Sequence, residues 1–203
     1  MTMDTEIAAR GGMRRAALDR LLGPDATRAE ATLALGAGAV CAVAVPALAH
    51  ARGLEWSMVQ LVVGGMLAFD LFGGVAVNAS RAGRRFYHAP SRTAVDHMGF
   101  VAAHVLHLVV LAWLFRGGDW MYAAGFSALL LASAALVLVV PAEVRTPVAL
   151  LACAAAVLAS VTAIAPAPGM EWFIPVLSLK LLVAYLLGTV DGPAQGDATV
   201  PER

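Results

Sequence analysis

The chain has 203 residues, 60% of them hydrophobic and only 14% charged, with a formal net charge of zero and a mean hydropathy of +0.77. This balance excludes an ordinary soluble globular domain and points to a polytopic membrane protein. It gives no ground for nucleic-acid binding, because the basic residues collect where anionic lipid headgroups would meet them.

Residues 1–30 interleave the apolar positions Ile7, Met13, Ala17, Leu21 and Leu22 with arginines. The pattern predicts a cytoplasmic segment containing an amphipathic helix that lies on the inner membrane surface. A cleaved signal ending at Ala47-Leu48-Ala49 or Ala49-His50-Ala51 is the rival reading of the same region.

Six apolar stretches follow, each close to the roughly 20 residues that a hydrocarbon core of about 30 Å demands. They run from Ala31 to His50, Ser57 to Asn78, Met98 to Phe115, Trp120 to Val140, Thr146 to Ala165, and Met170 to Thr189. Lipid leaves no partner for an open strand edge, so the expected fold is all-α, a bundle of six transmembrane helices over residues 31–189. Residues 190–203, rich in Gly, Pro, Asp and Thr, read as a disordered cytoplasmic tail.

With the N-terminus in the cytoplasm, the arginines of residues 1–30 and of residues 81–92, together with Arg145 and Arg203, fall on the inner side. Only Arg52 and Arg116 fall outside. Trp56, Trp120 and Trp172 then form one outer interfacial belt. The expected location is a prokaryotic cytoplasmic membrane with both termini inside.

Asp70 and Lys180 each interrupt an apolar run far from its ends. A carboxylate or ammonium near mid-membrane costs about 2.5–3.5 kcal/mol on the insertion scale, so the two should find each other. By helical rise their depths differ by only about 4.5 Å, which a lysine stem can span. Asp70, Gly74 and Asn78 recur at intervals of four and make one stripe of the second helix, while Gly64, Gly65, Gly73 and Gly74 offer small surfaces for close helix contact. Such faces serve packing inside one bundle or dimerisation equally well.

His97, His104 and His107 are spaced so that all three rings can share one face of the third helix. The loop before it adds Arg81, Arg84, Arg85, His88 and Arg92, a basic vestibule suited to the polar end of a substrate. The candidate catalytic set is therefore Asp70, His104, His107 and Lys180, with Asn78, Arg81, His88 and His97 as candidate substrate-binding residues.

Several chemistries share these residues. Acid–base catalysis on a lipid-soluble substrate uses Asp, His and Lys directly. A divalent metal, zinc or non-haem iron, could be held by Asp70, His104 and His107, although HExxH and other dense histidine motifs are absent. Proton relay in a transporter or exporter subunit uses the same groups, and a structural subunit would use them only to pin helices. Haem is disfavoured, since His104 and His107 on one helix cannot occupy opposite faces of one macrocycle. Cys41 and Cys153 lack CxxC spacing and read as small buried hydrophobes. The Phe100-to-His104 spacing resembles one motif of intramembrane CAAX-type proteases, but the paired glutamates those enzymes need are missing, and nothing carries over.

Overall fold

Five of the helix starts among the described residues are set by hydroxyl or carboxylate side chains at the boundary. Thr27 and Ser57 each open a helix with a reciprocal capping box, closed by Glu30 and Gln60, at the heads of α1 (Arg28–Ala51) and α2 (Met58–Ala79). Ser80 caps the short α3 (Arg81–Tyr87). Thr93 and Asp96 repeat the box at α4 (Ala94–Ala103), which resumes after a break at His104 as α5 (Val105–Phe115). Asp119 caps α6 (Trp120–Val139), and Pro141 precedes α7 (Ala142–Thr162). The last described element is α8 (Phe173–Ser178), which widens into a π-helix over Leu179–Tyr185 and then tightens into a 3-10 turn over Leu186–Thr189.

The structure, a computed structural model, describes residues 19 and 21–189, and among them there is no strand. Five helical segments are long and apolar enough to cross a membrane: α1, α2, the α4–α5 pair taken as Ala94–Phe115, α6 and α7. The expected sixth, Phe173–Gly188, is apolar but shorter. It starts later than the hydropathy implies, because Gly169 at φ +85° and a Met170 N–H bond to the Ala167 carbonyl turn the chain just before it. Similarly α7 ends at Thr162 rather than near Ala165, ahead of Pro166 and Pro168.

Most of the N-terminal segment lies outside the described residues, as does the tail at 190–203. Within the N-terminal segment Leu22 is only 6% exposed and packs on Ala34 of α1 and Val77 of α2, while Leu21 is 48% exposed.

α1 and α2 approach closely because glycine stands at the contacts. A Cβ on Gly65 would lie 2.8 Å from the Ala42 carbonyl oxygen, and one on Gly73 would lie 3.1 Å from that of Ala34. The other core joins α2 and the third to last helices around Leu71, Leu108, Leu111, Phe173 and Leu181. Large apolar side chains such as Val40, Met66, Leu106 and Leu151 stay exposed on the outside, the distribution expected where lipid is the solvent. Glu30 also ties the start of α1 to α3, accepting from the backbone N–H groups of Arg81 and Ala82 at 2.9 and 3.3 Å.

Candidate functional site

The two intramembrane charges meet. Lys180 Nζ lies 2.6 Å from Asp70 Oδ2, joining positions 110 residues apart. Lys180 is 3% exposed as a residue, and its stem lies across Gly74, where any Cβ would collide with it. The stripe on α2 thus has a part for each member: Asp70 receives the ammonium, Gly74 makes room for the stem, and Asn78 Nδ2 donates to the Lys180 carbonyl at 3.3 Å. That carbonyl belongs to the π-helical stretch, where i to i+5 bonding replaces the usual ladder.

His107 Nε2–H donates to the same Asp70 Oδ2 at 3.0 Å. The Nδ1 atom of His107 is buried with no partner among the described residues. His104 lies against His107 with ring centroids 5.0 Å apart and planes 14° apart. The helix breaks at His104, so the ring's Nδ1–H reaches back to the Phe100 carbonyl at 2.8 Å. A carbonyl can only accept, so Nδ1 carries the proton, and the neutral ring has its lone pair on Nε2.

Asp70, His104 and Lys180 sit on the wall of a cavity of about 290 Å³ whose other lining is mostly apolar, including Leu21, Leu35, Phe69 and Phe100. Lining residues come from α1, α2, α3, α4, the last helix and the segment before α1, a wider set than the second, third and sixth spans expected from the sequence. Leu21, Leu22, Tyr87 and Phe100 carried no charge signal that could have marked them. The size is at the lower edge of the roughly 300–1,000 Å³ typical of small-molecule sites.

The remaining candidates divide. Asn78 lines the cavity. Arg81 does not: it is exposed, and its backbone N–H is spent on Glu30. His88 and His97 form a second cluster around Tyr185, stacked on each other at 4.6 Å. His88 Nε2–H donates to the Tyr185 carbonyl at 2.9 Å, and His97 Nδ1 shares a 3.0 Å hydrogen bond with the Tyr185 hydroxyl. Burial pushes His88, in the loop outside the spans, down to about 4 from the usual histidine value. Phe100 stands between the two clusters, stacked on Tyr185 at 4.1 Å and tilted against His104 at 4.9 Å. His97 thus meets Tyr185 and His88, while His104 and His107 lie beside Asp70, with Phe100 between the two groups.

Asp70, His104 and His107 each offer a ligand atom, all within 4.8 Å of one another, so these three could hold a metal ion. Together the apolar helices and the polar cluster between them define a multi-pass membrane protein with a polar site. No family model, curated protein or solved structure matches the chain.

Proposed function

We propose that the protein is a membrane-embedded enzyme performing acid–base chemistry on a lipid-soluble substrate, in a prokaryotic cytoplasmic membrane with both termini inside. The observation that carries this reading is the placement of Asp70, His104 and Lys180 on the wall of a mostly apolar cavity of about 290 Å³. His104, with its lone pair on Nε2, acts as the base. Lys180 stabilises negative charge that develops on the substrate, and Asp70 keeps that ammonium and the His107 ring in position. The basic inner loops support the orientation.

A metal-dependent enzyme is the second reading, favoured by the 4.8 Å grouping of Asp70, His104 and His107. Charge weighs against it. Asp70 and Lys180 already sum to zero, and a divalent ion about 4 Å from the ammonium meets a Coulomb repulsion of about 8 kcal/mol at an effective dielectric of about 20. Metal binding would therefore require the lysine to give up its proton. Elemental analysis of purified protein separates the two readings, since stoichiometric zinc or iron would replace the metal-free one.

The enzyme reading is tested by incubating protein in nanodiscs with total membrane lipid extract and following lipid composition by mass spectrometry. The expected result is conversion of one lipid species by the wild type and none by His104→Ala, with the melting temperature of the variant nearly kept. Unchanged lipid composition with wild-type protein, together with lowered stability of His104→Ala and Asp70→Asn, would assign the cluster a purely structural role. Uptake driven by a pH gradient in proteoliposomes, without conversion, would make the protein a proton-coupled transporter.

A further inference from the structure

The hydrogen bonds around the cavity leave an unequal set of unused groups. Asp70 uses one oxygen, Oδ2, for both Lys180 and His107, so Oδ1 has no partner among the described residues. His104 spends its N–H on Phe100 and keeps a lone pair on Nε2. Asn78 spends an N–H on the Lys180 carbonyl, and its side-chain oxygen has no partner among the described residues. All three residues line the cavity.

Donors are scarcer. Lys180 is charged, yet its side chain is only 4% exposed and already engaged, whereas the Asp70 side chain is 45% exposed. A ligand entering the cavity thus meets acceptors first. An anionic headgroup would face the open side of a carboxylate whose counter-charge is already used. A cationic one would bring a second positive charge beside the ammonium. A hydrocarbon end would leave the acceptors desolvated and unpaired, the costly outcome for buried polar groups.

On this basis we infer that the cavity takes an uncharged amphiphile whose polar end is a hydroxyl group, donated to Asp70 Oδ1 or His104 Nε2 with the apolar chain against Phe69 and Phe100. The inference rests on the reading that the cavity admits a lipid-soluble molecule, and it names the class of that molecule. A hydroxyl also offers lone pairs, and Tyr87, which lines the cavity, carries a donor of the matching kind. The volume of about 290 Å³ holds the polar end and the first part of a chain, with the rest of a long molecule left in lipid.

The test uses a photoactivatable long-chain alcohol, with the carboxylic acid, the amine and the alkane of equal length, on wild-type protein in nanodiscs. Labelled peptides are mapped by mass spectrometry. The alcohol should label the peptides containing Phe69 and Phe100 about tenfold more than each of the others, the ratio given by a single retained hydrogen bond to a charged or buried acceptor. His104→Leu should lower that preference. Equal labelling by all four probes, or a preference for the acid or the amine, overturns the hydroxyl assignment while leaving a cavity for lipid-soluble molecules. Labelling by none at these peptides removes both readings. The comparison among probes on wild-type protein decides the matter even where the variant fails to fold.

Discussion

Removing the two partners of the intramembrane ion pair one at a time should have unequal costs. Asp70→Leu strands an ammonium whose side chain is 4% exposed, with no other carboxylate bonded to it. Breaking a buried pair from that side costs about 3–5 kcal/mol, or a melting temperature lower by about 6–20 °C for a chain of this size. Lys180→Met strands Asp70 instead, but that side chain is 45% exposed to the cavity and keeps the 3.0 Å bond from His107. The loss there should be about 1–3 kcal/mol. Combining Asp70→Leu with Lys180→Met removes both charges, and stability should return to within about 1 kcal/mol of wild type. The assay is reversible unfolding in mixed micelles, run as a double-mutant cycle. If the double variant loses the sum of the single losses to within about 0.5 kcal/mol, the pair is not coupled and the reasoning fails. If Lys180→Met proves the costlier single change, the assignment of which charge is better solvated is wrong.

Gly74→Ala should act on the same pair without changing any charge. Its Cβ would fall 2.8 Å from Lys180 Nζ as well as onto the stem, so the end of the lysine must shift and its bond to Asp70 weakens. Its melting temperature should fall towards that of Lys180→Met, while in a Lys180→Ala background the extra methyl should be nearly neutral; a full loss in that background would show that the glycine serves backbone contact instead. His88 gives a pH dependence. Its value near 4 lies below the usual 6.5, so the unfolded chain takes up a proton first as pH falls, and folded-state stability drops between about pH 6.5 and 4. Subtracting the pH profile of His88→Gln from that of wild type should isolate this slope; identical profiles would refute it.

The charge pair and the stripe on α2 were legible because charged residues inside apolar runs are few and costly, so each one limits its own surroundings. The same applies to His104 and His107, which the Asp70 region gathers as their spacing implies. The second cluster was not legible. Tyr185 reads as one more aromatic in an apolar helix, and nothing local announces that it faces His88 and His97. The break at His104 and the widening at Leu179–Tyr185 are likewise invisible to periodicity: at the first the imidazole takes the Phe100 carbonyl four residues back, and at the second the Lys180 carbonyl receives Asn78 from another helix. The packing of Leu22 against Ala34 and Val77 was not legible either, because its spacing says only that one face is apolar and not what covers it.

The wide winding of the last helix has a consequence for motion. Five positions along an ordinary α-helix differ by about 140° in direction, whereas the wider winding of a π-helix, bonded at that interval, narrows the difference. Lys180 and Tyr185 lie five apart in this stretch, one bonded to the carboxylate in the membrane and the other to an imidazole near the loop. Rewinding it as an ordinary α-helix would turn one of these anchors relative to the other, so a change of winding alone, without any helix having to translate, would disturb at least one of the two contacts.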